Sequence, residues 1–167
     1  IYYRVIVSAS GNDCGSVTSS SATVTVVAAP AITVHPVGGA ICTGGVFIMN
    51  MTATGGKPSL AYQWQSSSDN VTFSNISGAT TSSYNTLALA ATTYYRVVVS
   101  ASGNGCGSVT SSSATVTVVA DPAISVQPTG MTICNGGTYA LSVTATGGTP
   151  SLAFQWQSSS DNVTFTN

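Results

Sequence analysis

The chain repeats itself at a fixed spacing. Tyr2-Tyr3-Arg4-Val5 returns as Tyr94-Tyr95-Arg96-Val97, and Tyr62-Gln63-Trp64-Gln65-Ser66-Ser67-Ser68-Asp69 returns as 154–161 with Phe154 in place of Tyr62. Cys14 becomes Cys106 and Trp64 becomes Trp156, so the period is 92 residues (106 − 14 = 92; 156 − 64 = 92). Repetition at such a period means an array of like units, each folding in the same way. It divides the chain into 1–27, the C-terminal part of one unit; 28–119, a complete unit; and 120–167, the N-terminal part of the next. The expectation is a window on a tandem array.

Within the complete unit the hydrophobic pattern has period two. Phe47, Met49, Met51 and Ala53 alternate with Ile48, Asn50 and Thr52, and Tyr62 and Trp64 alternate with Gln63 and Gln65. Such alternation marks strands with one face inward. Strands are expected at about 31–35, 46–54, 60–66, 71–75 and 84–89. Two more come from the stretch 94–119, a pair joined by the glycine-rich turn Gly103-Asn104-Gly105-Cys106-Gly107, with 1–27 as the same hairpin. Seven short strands, frequent turn signals and no helical period predict an all-β sandwich. The link Ala28-Ala29-Pro30 is too short to be a flexible spacer.

Composition narrows the function. Only 4% of the residues are charged, none is Glu, and the net charge is −1. An average domain carries about 25% charged residues. There is no basic footprint for nucleic acid, and no apolar run approaches the ~18 residues of a membrane helix. His35 is the single histidine, and the acids Asp13, Asp69, Asp121 and Asp161 are scattered over different loops and units. Calcium needs several converging oxygens and nucleophilic serines need a base, so neither a metal, nor a cofactor, nor catalysis is expected. Four cysteines without a CxxC spacing point to disulfides and an oxidising, extracellular compartment.

Several motifs resemble a known class. Trp64 falls on the third main strand, and Tyr95 falls two residues before Val97 near the start of the next-to-last. These positions resemble the buried tryptophan and the tyrosine corner of immunoglobulin-like domains. Cys42-Thr43-Gly44-Gly45, Thr52-Ala53-Thr54-Gly55-Gly56, the Trp-Gln-Ser-Ser-Ser-Asp run and Tyr94-Tyr95-Arg96-Val97 are similar to tandem immunoglobulin-like repeats of secreted bacterial surface proteins of adhesin type. The resemblance implies a core of Phe47, Met49, Tyr62, Trp64, Tyr95, Val97 and Val99. Antibody domains pair cysteines where this chain has Met49 and Val97. Cys42 and Cys106 would lie at opposite ends of the sandwich, on the order of 25 Å apart for strands of ~8 residues, whereas a disulfide needs Cα atoms within about 7 Å. Two options stay open: a bond inside the unit, or staples between domains or chains, Cys42 with Cys14 and Cys134 with Cys106 of a neighbour.

The functional expectation is a structural module of an extracellular stalk or fibre at the cell surface. The alternatives are an adhesin with ligand contacts on loops such as 66–70 or 77–83, and a spacer of a secreted enzyme. No external ligand is legible. Asn50, Asn70, Asn75 and Asn162 match the glycosylation sequon. The two partial units have apolar faces and unpaired strand edges, and in repeat register they overlap nowhere. Self-association is therefore expected, either as a continuous array or by strand complementation between separate chains.

Overall fold

The computed structural model describes residues 1–10, 15–103, 105–148 and 151–167. Every regular element among them is a strand, so there is no helix to cross a membrane. The first partial unit holds β1 (Tyr2–Tyr3), β2 (Ile6–Ser8), β3 (Ser16–Thr18) and β4 (Ala22–Thr23). The complete unit opens with β5 (Ala31–Val34), β6 (Gly39–Cys42), β7 (Ile48–Asn50), β8 (Thr52–Thr54) and β9 (Leu60–Ser67). It continues with β10 (Ser74–Asn75), β11 (Ser83–Asn85), β12 (Thr93–Ala101), β13 (Ser108–Thr110) and β14 (Ala114–Val119). The last partial unit holds β15 (Ala123–Val126) and β16 (Thr144–Thr146).

The complete unit is an immunoglobulin-like β-sandwich. One sheet runs β10-β9-β12-β14-β6, with β13 also on β12. The opposing layer pairs β5 with β8 and β7 with β11. β7 and β8 are one line of chain, and at the break between them the Met51 amide donates to the Ser82 carbonyl at 3.0 Å. The central pairing is β9 with β12, eight residue pairs from Tyr94↔Ser67 to Ala101↔Leu60. Alternation sends Trp64, Tyr95, Val97 and Val99 to the inner face, where they meet Met49 and Met51 from the other layer; all six are buried. Phe47 and Tyr62 are half-buried and pack on this cluster. The Tyr84 ring lies 5.7 Å from both Trp64 and Tyr95, tilted as aromatic quadrupoles prefer. The indole N–H of Trp64 donates to the Thr81 carbonyl at 2.9 Å, so the buried ring leaves no donor unpaired.

The strands differ from the sequence reading in four places, the first being the second member of the pair expected in 94–119, which divides into β13 and β14. A strand absent from that reading, β6, pairs in parallel with β14 from Val116↔Gly39 to Val119↔Cys42. Its residues carry no alternating pattern, and its pairing is set by the edge β14 offers. The expected strand at 71–75 shrinks to Ser74–Asn75 because the Asp69 carboxylate captures the amides of Val71 and Thr72, both at 2.8 Å. Local side-chain bonds of this kind compete with a ladder. The expected 84–89 strand forms its ladder only at Ser83–Asn85. It continues as separate bonds, Thr86 amide to Phe47 carbonyl at 2.9 Å and Leu89 amide to Gly45 carbonyl at 3.0 Å.

Gly55 shows why the turn after β8 is glycine. Its φ is 76°, and a Cβ there would stand 2.2 Å from the Ala29 carbonyl oxygen. Gly55→Ala should therefore destabilise the complete unit, by about 1–3 kcal/mol for a forced left-handed residue. Trp64→Ala should cost about 3–5 kcal/mol by leaving a cavity at the centre. Urea denaturation of the 167-residue chain measures both.

Candidate functional site

One feature of the molecule can carry function: the ends of the complete unit, where neighbouring units attach. At the entry end, the Gly56 amide donates to the Ala28 carbonyl at 2.8 Å, and Pro30 is buried. Cys106 is at this same end, its sulfur beside Gly103, which in turn abuts the Lys57 carbonyl of the β8–β9 turn. At the exit end, the Thr43 amide and hydroxyl both donate to the Val119 carbonyl, at 3.1 and 3.3 Å. Cys42 pairs with Val119 in the β6–β14 ladder, so it stands at the point where the chain leaves the unit. Both connections are thus bonded into the sandwich. The next link repeats the pattern, with the Gly148 amide on the Ala120 carbonyl at 2.8 Å.

Each complete unit therefore has one thiol at each end. Cys42 and Cys106 are half-buried, Cys134 is exposed, and all three are free. Cys14 and Asp13 lie outside the described residues. The length of β12 separates Cys42 from Cys106, nine residues of strand, or about 30 Å at ~3.3 Å per residue.

The partial units hold their internal structure but not their core. In 1–27, Tyr2 pairs with Thr23 and Val7 with Val17, the register of Tyr94 with Thr115 and Val99 with Val109. The Ser19 hydroxyl accepts from the Val5 amide at 3.1 Å, as Ser111 does from Val97 at 3.0 Å. In 120–167, Ile124 pairs with Ala145 as Ile32 does with Ala53. Yet Trp156 is 46% exposed where Trp64 is 0%, and Val5 is 57% exposed where Val97 is 0%. A groove of about 380 Å³ opens beside Trp156, lined by Ile124, Val143, Ala145, Leu152 and Phe154 among others.

The remaining sequence candidates sit on surfaces. Asn50 and Asn75 are exposed on strands, and the Asn75 amide oxygen accepts from Gln65 at 2.8 Å. Asn70 and Asn162 are exposed in tight turns at φ 59° and 57°. His35 Nδ1 accepts from the Ser112 amide at 3.1 Å, which anchors the end of β5 to the bend between β13 and β14. Among the described residues, no three His, Cys, Asp or Glu side chains converge as a metal site would require. Burial raises the phenol pKa of Tyr84, and burial followed by the neighbouring Tyr84 raises that of Tyr95 against a hydrogen bond from Thr93. Sequence reasoning missed the Arg96 cluster: its guanidinium sits 4.0 Å from the Phe73 ring centroid and donates to Gln65 at 2.7 Å. The signal was present, because Arg4, Phe165 and Gln157 recur one period away.

Fold and site together define a tandem immunoglobulin-like repeat protein. Residues 34–120 match the family described as Domain of unknown function (DUF8696), just over half of the chain, and the chain belongs to that family. No curated protein matches it. Among solved structures, immunoglobulin domains 1–5 of Sidekick-1 are similar at 14% identity and a TM-score of 0.49. That match covers 81% of this chain and 31% of the other, so this chain spans about a third of that structure's length.

The repeated turn at Asp69 and Asp161 yields a pH prediction. Hydrogen bonds from the Ser67 hydroxyl and the Thr72 and Val71 amides lower the Asp69 pKa to about 2. The Thr164 and Val163 amides and the Ser159 hydroxyl do the same for Asp161, also to about 2. A folded pKa below the unfolded value of 3.8 means the turn is stabilised above pH ~4 and loses that stabilisation as pH falls through ~2. Carboxyl chemical shifts followed by NMR should titrate near 2 at both residues. In Ser67→Ala the Asp69 midpoint should move up while that of Asp161 stays in place.

Proposed function

We propose that this chain is a structural module, tandem immunoglobulin-like domains of an extracellular stalk or fibre, and that its role is mechanical and not catalytic. The observation that carries the reading is the bonding of both links into the complete unit, Ala28 to Gly56 at entry and Val119 to Thr43 at exit. A linker held in this way transmits tension directly to the fold. The entering chain and β14 leave at opposite ends, and β6 lies parallel to β14. Tension pulls this parallel pair lengthwise, across its hydrogen bonds, so the bonds must break together and not one at a time. The low charge, 4% of residues, removes self-repulsion between neighbouring units.

The cysteines fit the same role. In a head-to-tail array, the exit end of each unit, with its Cys42 equivalent, meets the entry end of the next, with its Cys106 equivalent. An oxidant of the compartment, dioxygen or a disulfide-exchange enzyme, would take two electrons and two protons from each pair of thiols. The resulting staple would hold the joint under load. The many exposed Ser and Thr hydroxyls are the solvated outer face of such a rod.

Single-molecule pulling on the chain tests the reading. The complete unit should give one cooperative rupture that releases about 30 nm, 92 residues at ~3.4 Å each. Smooth extension without a force peak would contradict it. Thr43 is the second residue of the turn closed by the Gly45 amide on the Cys42 carbonyl, with Gly44 at φ 78°. Proline suits that position of a type II turn, so Thr43→Pro removes only the two bonds to Val119. It should lower the rupture force clearly and the equilibrium stability by about 1–2 kcal/mol.

A further inference from the structure

We infer that the outer face of the β9–β12 sheet carries a binding site for a sugar carboxylate, centred on the Arg96 guanidinium, so that an array of these units holds an acidic polysaccharide. The inference goes beyond the mechanical reading and does not depend on it.

The site is a row laid across neighbouring strands. Asn75 of β10 pairs with Gln65 of β9, and Gln65 pairs with Arg96 of β12. Their side chains are joined in turn. Arg96 Nε donates to the Gln65 carbonyl oxygen at 2.7 Å, and the Gln65 amide donates to the Asn75 carbonyl oxygen at 2.8 Å. The guanidinium also lies 4.0 Å from the Phe73 ring centroid. These contacts fix the group and engage only its Nε–H. Among the described residues, the two terminal nitrogens donate to no protein acceptor. The complete unit contains one acid, Asp69. Its carboxylate is taken up by the Ser67 hydroxyl and the Val71 and Thr72 amides, so it is not a partner for Arg96. A guanidinium fork already held in place, with its outer edge open, matches a carboxylate through paired hydrogen bonds.

The surroundings select a sugar as the carrier of that carboxylate. Gln63 spends its amide N–H groups on the Trp64 and Ile76 carbonyls, both at 2.8 Å, which leaves its own carbonyl oxygen open. Asn75 uses its carbonyl oxygen and leaves its NH2 open. An acceptor and a donor beside the guanidinium are what ring hydroxyls require. Tyr94 shares the outer face of β12 with Arg96 by alternation and is half-buried, which adds apolar surface for a ring. Lys57, the other basic residue of the unit besides His35, is in the β8–β9 turn and off this face. One fork among uncharged amides suits a carboxylate better than a doubly charged phosphate.

The repeats keep this face and change the opposite one. Every outward side chain of 60–73 recurs in 152–165, where the single difference is Tyr62 to Phe154 on the inner face. Asn75 recurs as Asn167, and Tyr94 and Arg96 as Tyr2 and Arg4. On the other layer, the outward Val46, Ile48 and Asn50 become Thr138, Ala140 and Ser142. Each unit of an array thus brings the same groups, and a polyuronate, with a carboxylate on every ring, engages several units at once. Linked weak sites bind more tightly than any one of them.

Titration of the 167-residue chain with a galacturonate trimer, followed by the arginine Nε–Hε signals in NMR, tests the site. The Arg96 signal should move and saturate. The same trimer with its carboxylates methyl-esterified should not move it, and a sulfated galactose trimer or a triglutamate peptide should act much more weakly. Arg96→Lys keeps the charge and loses the fork, and it should weaken binding about tenfold, as loss of a hydrogen bond to a charged group does. Lys57→Gln should leave binding unchanged. An Arg96 signal that does not move, an equal response to the methyl ester, or undiminished binding by Arg96→Lys would each overturn the inference. An equal response to triglutamate would overturn the sugar as the ligand, and an equal response to the sulfated trimer would overturn the carboxylate. If Arg96→Lys does not fold, the comparison of acid with ester on the unaltered chain still decides.

Discussion

The pairing of β9 with β12 is the contact on which the rest of the structure depends. It sets Val97 across from Trp64 and closes the inner face of the sandwich over the largest side chain in the core. The chain contains its own control for this. Residues 60–73 and 152–165 differ at a single position, Tyr62 against Phe154. Local propensity is therefore the same in both, and so are the turn at Asp69 or Asp161 and the glutamine bonds to the Trp64 or Trp156 carbonyl and to Asn75 or Asn167. Only the first copy has a β12 beside it, and only in that copy is the tryptophan buried. Strand alternation selects the face, and the tertiary partners, β12 together with Tyr84 of β11, remove it from water. The free energy of burying ~200 Å² of aromatic surface accrues only when those partners are present.

This division explains what was legible in advance. The period of 92, the alternation in 46–54, 60–66 and 94–99 and the glycine turns all act locally, and each appears at its expected place. Met49, Trp64, Tyr95, Val97 and Val99 occupy the core because a period-two pattern with one apolar face leaves them nowhere else to point. β6 was not legible, because Gly39-Ala40-Ile41-Cys42 has no pattern of its own and becomes a strand only through the edge of β14. The equivalent stretch Met131-Thr132-Ile133-Cys134, without such an edge, is not a strand. The shortened strand at Ser74–Asn75 shows the reverse case: a single carboxylate, Asp69, overrides a β-prone Val71-Thr72-Phe73 run by satisfying the backbone amides itself.

The candidate site was legible in outline and not in detail. Sequence register placed the cysteines at opposite ends of the unit. The structure adds that those ends are where the links are bonded down, Cys106 by the entry at Gly56 and Cys42 by the exit at Val119. The stacking of Arg96 on Phe73 could not be inferred from alternation, since Arg96 lies on β12 and Phe73 between β9 and β10, and the two meet through the pairing of β12 with β9.

Two nearly identical segments, 60–73 and 152–165, are thus structured or open according to whether their sandwich partners, β12 foremost, are present. Hydrogen–deuterium exchange of the dilute chain compares the two copies directly. Peptides spanning 60–73 and 152–165 separate by the one-oxygen mass difference between Tyr62 and Phe154, and their intrinsic exchange rates are nearly equal. Slow exchange is expected at Gln63, Trp64 and Gln65 and rapid exchange at Gln155, Trp156 and Gln157. Equal protection of the two segments in the dilute monomer would contradict it.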